Sequence, residues 1–174
     1  VKPLAAGTFL GAYALTEPNA GSDAATLATT FVDTGEGYEI TGNKLFVTNG
    51  GHADVYVVYA TSDKQLGHHG ISAFIVEPGF AGFTRGKNEH KLGINASSTT
   101  ELILSHCKVP KENLLGALGK GFSIALETLD GGRIGIASQA LGIGKAALET
   151  AVRHVKAREQ FGAPLAKLQA IQWM

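Results

Sequence analysis

The chain has 174 residues, enough to bury a core and to form one domain or one and a half. Its 15 Lys and Arg are balanced by 15 Asp and Glu, which argues against a nucleic-acid or anionic-membrane surface, since both recruit excess cations. A single cysteine, Cys107, excludes an internal disulfide framework and suits a reducing compartment, and no apolar run approaches the roughly 20 residues of a membrane span.

Up to about residue 116 the chain reads as short β-branched runs: GTFLGAYAL, TLATTFVDT, YEITGNKLFVTN, DVYVVYATS, ISAFIVEP and TTELILSHCKV. Turn chemistry such as TGEG, NGG and PGFAG separates them, which is how an all-β domain reads. The connections are too short for helical crossovers and predict an antiparallel sheet. VYVVY and SAFIVE are apolar on both faces, so those strands are expected to be covered on both sides.

Two loops in this region carry chemistry. ALTEPNAGSD, from Ala14 to Asp23, holds more hydrogen-bonding groups than an ordinary turn needs. Thr16, Ser22 and the backbone amides around Gly21 can grip a planar polar ring and an anionic phosphate together. In LFVTNGG, Leu45 to Gly51, two-residue alternation places Phe46 and Thr48 on one side of a strand. An aromatic ring beside a hydroxyl suits the face and edge of a flavin, whose reactivity is tuned by hydrogen bonds and apolar cover. The same residue types also favour plain turns with capping side chains, and composition alone leaves both readings open.

Beyond Leu118 the punctuation disappears. From about Phe122 to Glu159, Phe122, Leu126, Leu129, Ile136, Ala140, Ala147, Ala151 and Val155 keep steps of three, four or seven, with Ile134, Leu141 and Leu148 as a second stripe. Such a helix is roughly 55 Å long and, apolar on more than one face, is expected to be enclosed by other helices. Gly131, Gly132, Gly135, Gly142 and Gly144 each cost on the order of 1 kcal/mol against alanine, a cost that close backbone approach would offset. Gly162 and Pro164 break the pattern before LAKLQAIQWM starts another helix. The chain opens at Val1 and stops at Met174 inside that helical pattern, and is read as a piece of a longer polypeptide.

Other motifs are weaker. GIGKAA, Gly142 to Ala147, spells a dinucleotide fingerprint but follows no strand. His68 and His69 are expected to point apart in a polar loop, with no third ligand beside them, so no metal site is assigned. Cys107 reads as a packed thiol.

Read in order, YALTEPNAGSD, KLFVTNGGHADVYVVYA, GISAFIVE, KLGINASSTTELIL, CKVPKENLLG, GKGF, ETLDGGRIGIASQALGIGKAALE and REQFGAPLAKLQAIQ resemble the acyl-CoA dehydrogenase family over nearly the whole chain. The wording is most similar to its short-chain, butyryl-CoA type members. The resemblance implies an α+β fold: an antiparallel β-barrel middle domain over residues 1–117, then the beginning of a C-terminal four-helix domain over 118–174. It implies FAD as cofactor and an acyl-CoA thioester as substrate, which loses its α-proton and β-hydride. It also implies electron-transfer flavoprotein as acceptor and a homotetramer, cytoplasmic in a bacterium or in the mitochondrial matrix of a eukaryote. An acyl-CoA oxidase, or a non-catalytic β-domain with a helical oligomerisation segment, stands as the alternative.

By matching positions, the resemblance puts Tyr13, Leu15, Thr16, Gly21, Ser22, Phe46, Val47 and Thr48 at the FAD. Thr16 would bond the ring, Thr48 would bond near N5, and Ser22 would lie close to both pyrophosphate and substrate. Phe46 departs from the tryptophan that many members carry, and Thr26 is larger than the usual residue at its position. Asp130 and Arg133 match the substrate-contacting segment of the long helix, although taken alone they form an i,i+3 ion pair. Arg158, Gln160, Phe161 and Gln169 match positions reaching the FAD of a neighbouring subunit. The catalytic base is implied to be a glutamate beyond Met174, because the long-helix position that a minority of members use is Gly132 here.

Overall fold

A computed structural model describes residues 1–174. The chain divides into two compact units, Val1–Leu126 and Glu127–Met174.

The first unit opens with a single helical turn, α1 (Lys2–Ala5), and then builds β1 (Gly11–Ala14), β2 (Thr30–Asp33), β3 (Gly37–Thr48) and β4 (Val55–Thr61). It continues through β5 (Ile71–Val76), β6 (Phe83–Asn88), β7 (Thr99–Pro110) and β8 (Leu114–Leu115). These eight strands form one sheet in the order β6-β7-β3-β2-β4-β5-β8, with β1 paired to β4. The fold is therefore mixed α and β with a sheet-rich first part.

Two expectations need correction. The sheet is not uniformly antiparallel: β1 runs parallel to β4 from Gly11↔Val55 to Ala14↔Val58, and Thr30 of β2 meets Thr61 of β4 in parallel. Between β1 and β4 the chain lays down β2 and β3, and that long excursion returns it in the same direction without an α-helix. Nor does the sheet close into a barrel. Its last strand, β8, offers only two residues, which pair with Ala73 and Phe74 and leave no ladder to reach β6.

The core fills one face of the sheet. Phe31, Tyr38 and Phe74 meet edge-on or tilted with centroids 4.9–5.8 Å apart, beside Ile40, Tyr56, Val58, Leu102 and Leu104. Such aromatic contacts add about 0.5–1.5 kcal/mol each beyond area burial. β4 and β5 are buried on both faces, as their unbroken apolar runs predicted. Tyr13 covers Tyr59 edge-on at 5.3 Å on the outer side. Ser72 lies directly against Gly121, where an added Cβ would collide with the Ser72–Ala73 backbone. β6, FTRGKN, was not legible as a strand; it is polar, and pairing with β7 holds it.

Helix α2 (Gly121–Ala157) begins in the first unit, and its turns from Glu127 onward belong to the second. In that second unit Ile134, Leu141 and Leu148 are exposed, and apart from the helix's own adjoining backbone no heavy atom lies within 4 Å of where a Cβ would stand on Gly131, Gly132, Gly135, Gly142 or Gly144. The close approach expected of these glycines is thus made to no other element of that unit. A two-residue hairpin follows, β9 (Glu159–Gln160) with β10 (Ala163–Pro164), turning on Phe161 and Gly162 at φ 56° and 74°. Both turn residues are left-handed, as the tight hairpin twist requires. Helix α3 (Gln169–Trp173) closes the chain.

Candidate functional site

The two hydroxyl-bearing loops of the first unit lie side by side. The Leu45 N–H donates to the Thr16 carbonyl at 2.8 Å, tying the loop after β1 to the end of β3. Within the first loop, Glu17 and Ala20 exchange backbone hydrogen bonds at 3.0 and 3.2 Å and close a turn over Pro18 and Asn19. Thr16 and Gly21 therefore stand at the same end of that turn. Thr16 is half-buried, whereas Gly21 and Ser22 are exposed. Thr26, whose size had no account, donates its hydroxyl to the Asp23 carbonyl at 2.8 Å and closes the following 3₁₀ turn.

A β-bulge shapes the second loop. β3 pairs Lys44 with Leu102 but Val47 with Thr100, so it carries one more residue than β7 across this step. Phe46 takes the left-handed conformation there, at φ 54°. Ahead of the bulge Tyr38, Ile40 and Lys44 point inward; past it the phase has flipped, so that Val47 is buried and Phe46 and Thr48 face out. Phe46 is 61% exposed. The rim continues through Asn49, also left-handed, whose N–H donates to the Ser98 carbonyl at 2.9 Å. Tyr56 Oη donates to the Gly50 carbonyl at 2.7 Å beneath it.

Three of the expected cofactor residues are turned inward. Leu15 and Val47 are buried and can offer only backbone and shape. The Tyr13 hydroxyl donates to the Ala125 carbonyl at 3.3 Å; burial pushes that phenol above its ordinary range, with Tyr59 opposing.

Sequence reasoning missed Glu17 and Lys44. They form a buried ion pair at 2.6 Å between the two loops. Lys44 Nζ also donates to the Leu15 carbonyl at 3.2 Å, and the Glu17 carboxylate accepts from the Ala28 amide at 2.5 Å and the Thr29 amide at 3.1 Å. Burial alone would raise the Glu17 carboxyl, but the Lys44 charge and these hydrogen bonds together hold it below the usual carboxylate range. Burial pushes the Lys44 ammonium down to about 8 against the pull of Glu17. The signal was a lysine on the inward phase of β3, four residues beyond Ile40 and two beyond Gly42.

Elsewhere in the unit, His68 and His69 do not point apart. Their rings lie against each other with centroids 3.9 Å apart, in a 3₁₀ segment kinked at Gly67. Cys107 is buried, and its thiol is pushed up to about 11 by burial.

In the second unit, Asp130 and Arg133 form the i,i+3 pair at 2.5 Å on an exposed face of α2. Gln160 and Phe161 sit in the β9–β10 hairpin, Phe161 at its tip and 93% exposed. Arg158 precedes that hairpin, with its carbonyl accepting from the Leu165 N–H at 2.8 Å, and Gln169 opens α3 with its side chain exposed.

Residues 12–107 match the family model described as acyl-CoA dehydrogenase, middle domain, and residues 119–174 match acyl-CoA dehydrogenase, C-terminal domain. The chain is 56% identical to a short-chain specific acyl-CoA dehydrogenase of Megasphaera elsdenii, over 98% of this chain and 45% of that protein. It is 50% identical to the mitochondrial short-chain specific acyl-CoA dehydrogenase of Rattus norvegicus, over 99% of this chain and 42% of that protein. The solved butyryl-CoA dehydrogenase of M. elsdenii superimposes with a TM-score of 0.93 at 56% identity, covering 98% of this chain and 45% of that one. The chain thus spans under half the length of these relatives. With two family models matched in their proper order and the hydroxyl-bearing loops of the first held side by side, the chain belongs to the acyl-CoA dehydrogenase family.

Proposed function

We propose that the protein containing this chain is an FAD-dependent acyl-CoA dehydrogenase acting on a short-chain thioester. The observation that carries the reading is the Leu45–Thr16 hydrogen bond, which sets one hydroxyl-bearing loop against the other in a chain of this family. The residues present fit a flavin. Phe46 offers an exposed ring, Thr48 is exposed two residues on, and Gly21 offers an amide with no residue beyond its chain neighbours within 4 Å of where a side chain would stand.

When bound, FAD supplies an acceptor for the substrate's β-hydride. The chain's part is to hold and orient. The Thr16 and Thr48 hydroxyls would hydrogen-bond the flavin ring, and Phe46 would cover it and keep water away. Gly21 and Ser22 serve the pyrophosphate, with Ser22 also meeting the thioester, while Tyr13, Leu15 and Val47 back the pocket. Asp130 and Arg133 contact substrate, and Arg158, Gln160, Phe161 and Gln169 serve the FAD of a neighbouring subunit in a homotetramer. As the family resemblance implies, we assign the base that takes the α-proton to a glutamate outside residues 1–174, since the long-helix position that a minority of members use is Gly132 here. We further assign electron-transfer flavoprotein as acceptor, a domain boundary at 117/118, and a cytoplasmic or mitochondrial-matrix location according to host.

The test is expression of the complete reading frame. A yellow protein whose flavin absorbance bleaches anaerobically with butyryl-CoA supports the reading. A colourless but folded protein, or one that no saturated acyl-CoA bleaches, overturns it. Rapid reoxidation of the bleached flavin by oxygen marks the oxidase alternative.

A further inference from the structure

Two ions must be stripped of water before they can be buried together, and apolar side chains of similar volume often hold a fold equally well. The Glu17–Lys44 pair, with side chains 3% and 0% exposed, calls for a reason beyond stability. Its contacts supply one, because the pair fixes three backbone segments at once. Lys44 Nζ holds the Leu15 carbonyl and the Glu17 carboxylate, while that carboxylate holds the amides of Ala28 and Thr29. Leu15 and Glu17 are the two neighbours of Thr16. Lys44 immediately precedes Leu45, whose N–H binds the Thr16 carbonyl, and then comes the bulge that turns Phe46 outward. An apolar pair could fill the same volume but would not set the direction of any of these groups.

We propose that Glu17 and Lys44 are a positioning pair that fixes the placement of Thr16 relative to Phe46 and Thr48, and thereby sets how tightly and in what electronic environment the flavin is held. This rests on the flavin reading above. Neither residue touches the ligand; both act through the backbone of its contacts.

The experiment compares the complete reading-frame protein with Glu17→Gln and with the double variant Glu17→Gln/Lys44→Met, which leaves no buried charge behind. Three quantities are read: the FAD dissociation constant by fluorescence titration, the position of the visible flavin bands, and amide exchange at Leu45. We expect both variants to fold by circular dichroism. Losing charge-assisted hydrogen bonds should raise the dissociation constant about tenfold or more, shift the bands and speed Leu45 exchange. Wild-type affinity and bands in the double variant overturn the inference while leaving the flavin reading intact. Should the double variant not fold, Glu17→Gln, nearly isosteric, decides by the same two readouts. A wild type that binds no FAD overturns the reading and this inference together.

Discussion

Phe46 and Val47, adjacent in the chain, lie on opposite sides of the sheet surface, the first 61% and the second 2% exposed, and a bulge at Leu45–Phe46 decides that Phe46 is the outward one by resetting the phase that Lys44 holds. The left-handed backbone of Phe46 strains a non-glycine residue by roughly 1 kcal/mol. Phe46→Gly should therefore leave the thermal stability of the flavin-free protein unchanged or raised, while flavin affinity falls. Calorimetry and FAD titration of the same variant check the opposed signs.

Thr48→Ala in the full-length enzyme removes an exposed hydroxyl placed at the proposed hydride acceptor. Flavin reduction by butyryl-CoA should slow by about tenfold or more, with little change in FAD affinity. Stopped-flow absorbance measures it, and an unchanged rate would remove Thr48 from the site.

Arg158→Ala should loosen FAD and weaken subunit association together, since one guanidinium is proposed to serve both. A rise of about tenfold in the FAD dissociation constant is expected for a lost charge-assisted contact, along with earlier dissociation on dilution in sedimentation. A change in only one of the two would contradict a contact between subunits.

The acid limb of stability should depend on Glu17. Its folded-state carboxyl is held below the ordinary range, so the unfolded chain binds the proton more readily. The stabilisation is present above the ordinary carboxylate range and is lost as pH falls through the lowered folded value. Glu17→Gln should flatten the loss of denaturation midpoint on acidification. An identical acid limb in variant and wild type would show that other carboxylates govern it.

Cys107 should resist a disulfide reagent at pH 8 in the native protein and react once denatured, because burial raises its thiol to about 11 and closes access. Rapid native labelling would place it at the surface instead.

The strands that carry their own signal were legible. β4, β5 and β7 are β-branched and apolar, and DVYVVYATS, ISAFIVEP and TTELILSHCKV mark them within a residue or two. β6 was not, because FTRGKN has no apolar alternation and exists through its partner. Parallel pairing of β1 with β4, and the failure of the sheet to close, are long-range facts that no local window contains. At the candidate site, reading Phe46 and Thr48 to one side held, with buried Val47 between them. The step from inward Lys44 to outward Phe46 did not follow from alternation, since that needs the extra residue. Lys44 itself stayed hidden because lysine is read as a surface residue until a buried carboxylate is found opposite.

The bulge has a consequence for anyone exchanging segments between proteins of this kind. A graft that ends between Lys44 and Val47 and drops one residue would transpose interior and solvent chemistry along the remainder of the strand, burying a threonine and stranding a valine in water. The transferable module is the offset together with what lies on both sides of it, so a swap should be cut before Asn43 or after Gly51 and nowhere inside.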